Sequence, residues 1–209
     1  MRTLIAIPCM DMMHTPFVIS LTGLQVKGEI KFAYSASSLV YDSRNGLARK
    51  AICEKFDRVL WLDSDMQFNP DLFRKLSDDL DAGRDFVSGL YFIRKPPYKP
   101  VIFKRAGYEH VGQGVKPIAD TMYEYPKDSV FEVAAAGFGG VMMNVSLLEE
   151  VEKAYGLPFS PIMGFGEDIS FCLRVQELGK KMYCDSSVKM GHVGQFVYDE
   201  DSCKELNHA

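Results

Sequence analysis

Paired cysteines are missing from this 209-residue chain: its five, Cys9, Cys53, Cys172, Cys184 and Cys203, are odd in number, scattered, and form no C-x-x-C pair. That pattern speaks against a disulfide frame or a zinc knuckle and leads to the expectation of reduced thiols in a cytoplasmic protein. Long apolar runs are missing too. The longest weakly polar stretch, Val133 to Met143, is interrupted by glycine and falls far short of the roughly 18 to 20 residues a spanning helix needs, so no membrane span is expected. The opening run Met1-Arg2-Thr3-Leu4-Ile5-Ala6-Ile7-Pro8 is too short for a signal-peptide core, has no small-residue cleavage site behind it, and reads as a first strand. Nor is positive charge in excess. A formal net charge of -4 leaves no footprint for non-specific nucleic-acid binding. The segment after the first strand, Cys9-Met10-Asp11-Met12-Met13-His14, carries no G-x-G-x-x-G and no P-loop lysine motif, which removes a Rossmann dehydrogenase and a P-loop enzyme.

What is present fits one domain. The chain is 47% hydrophobic and 25% charged, close to the averages of soluble globular domains, and a chain of this length buries about 70% of its unfolded surface. No internal repeat, low-complexity tract or linker divides it, so residues 1–209 are expected to form a single domain with a polar tail fraying from about Asp199. Strand-like runs alternate with helix-like ones through the first half, the pattern of a mainly parallel sheet with covering helices. Strands are expected at Leu4 to Pro8, Glu29 to Tyr34, Arg58 to Leu62 and Asp85 to Ile93. Helices are expected at Pro16 to Val26, Asp42 to Phe56 and Asn69 to Ala82, the last stopped by Gly83. Farther on, Gly107 to Lys127 reads as a long irregular loop. Phe131 to Ala135 and Gly140 to Asn144 read as strands, Ser146 to Tyr155 and Glu167 to Leu178 as helices, and Met182 to Cys184 and Val188 to Met190 as two short strands.

The most informative stretch is Val59-Leu60-Trp61-Leu62-Asp63-Ser64-Asp65, an apolar strand that runs into two carboxylates. In an extended chain, residues i and i+2 point the same way. Two anions that close repel by roughly 3 to 4 kcal/mol at an effective dielectric near 20, and a divalent cation would reverse this. A polar turn leading to the next helix is the alternative. Strand ends are where open α/β sheets bind ligands, which favours the functional reading.

Three other segments carry chemistry, each with a bland alternative. Tyr41-Asp42-Ser43-Arg44-Asn45 precedes the second helix, with Asp42 or Ser43 as its N-cap. There Arg44 is either a solvated surface cation or the partner of a docked phosphate. Gly164-Phe165-Gly166-Glu167-Asp168 ends at a helix start, where acids complement the dipole. Helical phase sets Asp168 with Phe171, Cys172, Val175 and Leu178 on an inward face, making it a candidate general base or substrate ligand. Gly191-His192-Val193-Gly194 puts a histidine between glycines after a strand, as a ligand or as a structural residue. His14 and His110 read as structural, and His208 lies in the tail. Tyr91, Tyr98, Phe138 and Phe165 are candidate aromatic faces for sugar rings, with Phe138 better explained by core packing.

In order, D-S-R-N, strand-D-S-D, G-F-G-E-D-I-S-F and G-H resemble the nucleotide-sugar glycosyltransferases of the GT-A fold, particularly the family-2-like branch and its small stand-alone phage and bacterial members. The resemblance runs over nearly the whole chain. It implies an α/β fold with a mainly parallel twisted sheet, flanking helices and a small antiparallel addition. It implies a hexosyltransferase that takes a nucleoside-diphosphate sugar, UDP by default, to an acceptor hydroxyl. In that reading Asp65 is the direct metal ligand, His192 the late third ligand, and Asp63 a contact to ribose or to metal-bound water. Pro8, Asp11, Arg44 and Asn45 lie near the nucleotide, and Glu167-Asp168 is the acidic pair that supplies the catalytic base. Two oxygens and an imidazole favour Mn²⁺, with Mg²⁺ as the alternative cofactor. The chain is short for such an enzyme and lacks an acceptor-binding extension, so it is compatible with a homo-oligomer or with one module of a larger protein.

Two rivals remain. A nucleotidyltransferase shares the α/β core and the metal carboxylates but needs a glycine-rich basic loop after the first strand, where this chain has none. A non-catalytic nucleotide-sugar-binding module needs none of the acids, yet Asp63, Asp65, Asp168 and His192 are all present.

Overall fold

Apolar runs flanked by turn residues set the strands, and their burial on both faces makes them central. A computed structural model describes residues 1–112 and 114–194. The expected fraying from Asp199, together with Cys203 and His208, lies outside the described residues. In chain order the elements are β1 (Arg2–Cys9), α1 (Thr15–Thr22), β2 (Glu29–Ala36), α2 (Val40–Cys53), β3 (Arg58–Leu62), β4 (Met66–Gln67), α3 (Leu72–Asp81) and β5 (Phe86–Leu90). Then follow β6 (Ile102–Val111), β7 (Gly114–Thr121), β8 (Val130–Val133), β9 (Ala135–Ala136), β10 (Gly140–Asn144), α4 (Val145–Tyr155), α5 (Glu167–Glu177), β11 (Met182–Lys189) and β12 (Gly191–His192).

The main sheet has seven strands in the order β2-β1-β3-β10-β5-β11-β8. Strands β2, β1, β3, β5 and β11 run one way, while β10 and β8 run against them. A mainly parallel sheet must be covered on both sides, and two apolar layers do this. Ile5, Ile7, Leu60 and Leu62 meet Phe17, Leu72, Phe73 and Leu76 of α1 and α3. Leu4, Ala6, Val59 and Trp61 meet residues of α2, α4 and α5. In the second layer Trp61, Phe138, Phe159 and Phe171 form an aromatic cluster, with the Trp61–Phe159 rings at 5.0 Å and the Phe159–Phe171 rings at 4.8 Å. This cluster is the floor on which the polar site stands.

Four local expectations change. Gly107 to Lys127 contains most of a hairpin rather than an irregular loop, since β6 pairs with β7 in antiparallel register, Tyr108 opposite Pro117. Its strands are largely exposed on both faces, so they lack the apolar alternation that marks a half-buried strand. Met182 to Met190 contributes one strand, β11, whose pairing with β5 shifts register between Asp185 and Lys189. Helix α2 starts at Val40, with Leu39 at the N-cap position and no side-chain cap. Neither Asp42 nor Ser43 is therefore the cap, and the Ser43 hydroxyl donates instead to the Ser35 carbonyl at 3.1 Å. Helix α1 ends at Thr22, with Gly23 at its C-cap. Among the described residues no helix is long and apolar enough to cross a membrane, and Cys9, Cys53, Cys172 and Cys184 are free thiols.

Candidate functional site

Where β1 and β3 end and α2 and α5 begin, a cavity of about 360 Å³ opens, within the range of small-molecule sites. Pro8, Cys9 and Met10 line it from the end of β1, and Ser37, Ser38, Ser43 and Arg44 from the start of α2. Asp63, Ser64 and Asp65 come from the end of β3, Tyr91 and Arg94 from beyond β5, Phe138 from the loop before β10, Glu167 and Asp168 from α5, and His192 from β12. This is the carboxyl edge of the sheet, where open α/β folds bind ligands.

Strand β3 stops at Leu62, and the acids lie in the turn that follows, closed by the Met66 N–H donating to the Asp63 carbonyl at 3.2 Å. The i, i+2 geometry of an extended chain is thus replaced by a turn. Each carboxylate finds its own cation. Arg44 Nη2 is 2.8 Å from Asp63 Oδ1, and Arg44 Nε is 3.1 Å from Glu167 Oε1. Arg44 is 2% exposed, and its guanidinium lies over the Phe138 ring at 5.2 Å. Burial works against the Arg44 charge, but Asp63 and Glu167 outweigh it and its pKa is raised. Burial also lifts the Asp63 carboxyl to about 6, against the pull of Arg44. Arg44 therefore stands in the second turn of α2 as a clamp between two acids, and not as a surface cation at the helix start. The mutual repulsion expected of Asp63 and Asp65 is relieved by protein cations.

Asp65 is built differently. Its Oδ2 faces Arg94 Nη1 at 2.9 Å and His192 Nε2 at 3.4 Å, and its backbone carbonyl accepts from the Val193 N–H at 2.7 Å. Pairing of β12 with β4, His192 opposite Met66, delivers the histidine across more than a hundred residues of chain. His192 Nδ1 lies 2.9 Å from the Phe92 carbonyl, which can only accept. With its proton on Nδ1, the neutral ring turns a lone pair at Nε2 toward a carboxylate. That arrangement calls for a proton or a metal ion between them. Burial lowers the His192 pKa, but the hydrogen bonds to Asp65 and Phe92 overcome it and raise the value. Burial raises the Asp65 pKa, but His192 and Arg94 overcome it and lower the value.

Asp168, at the second position of α5, has no such partner among the described residues. Its Oδ1 accepts from the Ile169 N–H at 2.7 Å, and burial, reinforced by the charge of Glu167, raises its pKa. Asn45 and Asp11 fall outside the cavity lining. Asn45 Oδ1 accepts from the Phe159 N–H at 2.9 Å, tying α2 to the loop before α5, and Asp11 is exposed one residue beyond Met10. Tyr91 and Phe138 line the cavity, whereas Phe165 packs edge-on against Tyr108 at 5.4 Å, and Tyr98 is exposed. Nothing in the sequence pattern drew attention to Arg94. Its only signal is a cation immediately after an expected binding-edge strand, Asp85 to Ile93, which in the structure already ends at Leu90.

Among the described residues no three His, Cys, Asp or Glu side chains are grouped to hold a metal ion. The expected set of Asp63, Asp65 and His192 is not assembled, because Arg44 takes Asp63. The remaining pair still fits a divalent cation: one carboxylate oxygen, one imidazole nitrogen oriented from behind, and coordination positions left for other oxygens. Charge points the same way. Four carboxylates against two guanidiniums leave the lining at about -2 with His192 neutral, a field that repels an anionic ligand unless a cation enters with it.

No protein-family signature matches the chain, and no curated protein matches it in sequence. Solved structures do. A197 from STIV superposes with a TM-score of 0.66 at 20% identity, covering 93% of this chain and 87% of that one. The glycosyltransferase GalNAc-T7, in a structure with UDP, GalNAc and Mn²⁺, gives 0.59 at 12% identity over 93% of this chain and 43% of its own. The fold is GT-A. TarS 1-349 of S. aureus gives 0.57 at 14% identity, covering 92% of this chain and 60% of that one. The chain thus spans less than two thirds of either glycosyltransferase chain. The likeness is one of fold; in this chain the carboxyl edge of the seven-stranded, mainly parallel sheet holds the cavity.

Proposed function

We propose that this protein is a glycosyltransferase that moves a sugar from a nucleoside-diphosphate donor, UDP by first choice, to an acceptor hydroxyl with a divalent cation, Mn²⁺ or Mg²⁺, as cofactor. One observation carries the reading: on a GT-A sheet, Asp65 and His192 meet at the carboxyl edge, in one cavity with a half-buried Asp168 that has no ion-pair partner among the described residues.

The residues divide the work. Asp65 and His192 would hold the cation, whose bound charge acts as a Lewis acid toward the leaving diphosphate. Ser37, Ser38 and Val40, at the N-terminus of α2, line the cavity, and that N-terminus has no side-chain cap, favourable ground for phosphate oxygens. Arg44 fixes Asp63 and Glu167, so that Asp63 keeps one carboxylate oxygen for a donor hydroxyl. Asp168 takes the proton from the acceptor hydroxyl as its oxygen bonds to the anomeric carbon, and the bond from that carbon to phosphate breaks with its electron pair on the diphosphate. A carboxyl whose pKa is raised by burial and by the neighbouring Glu167 makes a better base than an ordinary aspartate. Tyr91 and Phe138 form the apolar wall that keeps water from the reacting carbon.

Incubation with a panel of nucleotide sugars and Mn²⁺, with detection of released nucleoside diphosphate, tests this. Release from one donor, lost in Asp65→Asn, is the expected result. No release from any donor, with no nucleoside diphosphate binding, would contradict it.

A further inference from the structure

Asp65 Oδ2 is approached by two groups, His192 Nε2 at 3.4 Å and Arg94 Nη1 at 2.9 Å. The same Arg94 Nη1 donates to the Val193 carbonyl at 3.2 Å. Its stem packs on Gly194, where an added Cβ would lie 3.1 Å from Arg94 Cδ. Arg94 extends from the return segment after β5, in which Phe92 bridges Pro100 and the Ile93 N–H donates to the Lys99 carbonyl. Unlike Arg44, it is 47% exposed at the side chain and stands at the cavity rim. A cation held by Asp65 and His192 would share its carboxylate oxygen with a guanidinium, and like charges at that distance repel. One of them has to leave. Arg94 is the one with solvent to move into.

We infer that Arg94 is an exchangeable counter-ion: it neutralises Asp65 while the cavity lacks a metal, gives that carboxylate up when a divalent cation binds, and then pairs with the donor's diphosphate. The inference rests on the reading of the cavity as a site for a metal and a nucleoside diphosphate. A guanidinium fork suits phosphate oxygens, and its planar geometry offers two parallel donors to them. The device makes metal and donor mutually supporting. Metal frees the arginine that the diphosphate needs, and the diphosphate draws away the arginine that competes with metal.

Arg94→Ala and Arg94→Gln separate the two halves of this role, because they act in opposite directions on the two ligands. Mn²⁺ binding without nucleotide is followed by the loss of the free-ion electron paramagnetic resonance signal. Binding of UDP, and in parallel GDP, CDP and ADP, is measured by calorimetry at saturating Mn²⁺. Both variants are expected to bind Mn²⁺ alone about 3-fold or more tightly, since a competing charge is gone. They should bind the nucleoside diphosphate about tenfold more weakly, the scale of one lost charge-assisted hydrogen bond. Arg94→Lys should restore part of the diphosphate affinity, as a point charge without the fork. Unchanged or weaker Mn²⁺ binding in the variants, or unchanged diphosphate binding, overturns the role of Arg94 while leaving the cavity's function intact. A wild-type protein that binds neither Mn²⁺ nor any nucleoside diphosphate overturns both.

Discussion

Two aspartates two residues apart are held in contrasting ways, and the contrast divides the cavity into an inner and an outer half. In the inner half Asp63 is bound to Arg44, a buried guanidinium that also grips Glu167 and rests on the aromatic cluster. The outer half holds Asp65 against Arg94, half in solvent, and His192, whose Nε2 is directed at it from a fixed ring. A charge walled in by protein costs too much to rearrange, so it organises the site. A charge at the rim can exchange partners, so it can meet a ligand. The motif Asp63-Ser64-Asp65 thus contains one carboxylate paired with a buried guanidinium and one paired with an exposed guanidinium.

The largest expected effect comes from cutting the inner clamp. Arg44→Ala leaves Asp63 and Glu167 as partly buried carboxylates without their cation, and breaking such a pair costs about 3 to 5 kcal/mol. Arg94→Ala, by contrast, removes an exposed charge and should stay within about 0.5 kcal/mol of the wild type. Urea unfolding of the two variants measures the difference. Similar stability losses would erase the distinction between the halves.

Next in size is the loss of the free carboxylate. Asp168→Asn keeps the shape and the Ile169 hydrogen bond but no basicity, and general-base removal costs roughly 10² to 10⁴ in turnover. Metal and nucleotide binding should be retained. Glu167→Gln should act mainly on stability, through Arg44, and should lower transfer less. A transfer rate lowered far more by Glu167→Gln would move the base one residue earlier.

A smaller effect tests whether a half-buried acid without a close cation behaves as this contrast implies. Asp79 of α3 has Arg84 no nearer than 3.7 Å, and among the described residues its Oδ2 has no hydrogen-bond partner. Burial, followed by the charge of Asp185, raises its pKa from 3.8 to about 6. A folded pKa above the unfolded value means that the native state binds the extra proton. Its contribution is therefore complete below about pH 4 and is lost as pH rises through about 6. Asp79→Asn should accordingly gain stability over the wild type between these limits and hold that gain at higher pH, on the order of 1 kcal/mol after allowance for solvent screening. Melting curves from pH 4 to pH 8 would show the gap opening. A constant gap would mean that Asp79 titrates normally.

Much of this arrangement could be read from the chain because it rests on local periodicity. The apolar run ending at Leu62, the helix beginning at Glu167 and the strand before Gly191 are each short-range patterns, and together they put the acids and the histidine at strand and helix ends. The parts that escaped are long-range or polar on both sides. Arg44 meets Glu167 across 123 residues, and no local pattern reports such a pairing. Without that partner, Arg44 reads as a surface cation or a phosphate contact near a helix start, whereas α2 begins at Val40 and sets it a turn farther in. The resemblance puts Asn45 near the nucleotide, while in the structure its side chain serves the backbone of Phe159. The hairpin of β6 and β7 hides because both its faces are largely polar or exposed. Arg94 sits beside Lys95-Pro96-Pro97, where turn chemistry dominates the signal.

The division between a structural and a ligand-facing carboxylate is tested most directly by Mn²⁺ titration of the wild type, Asp65→Asn and Asp63→Asn, followed by electron paramagnetic resonance. Binding should survive in Asp63→Asn, at a cost in melting temperature from the weakened Arg44 clamp, and should vanish in Asp65→Asn with melting temperature nearly unchanged. Equal loss of Mn²⁺ binding in both variants, or full binding by Asp65→Asn, would contradict the account.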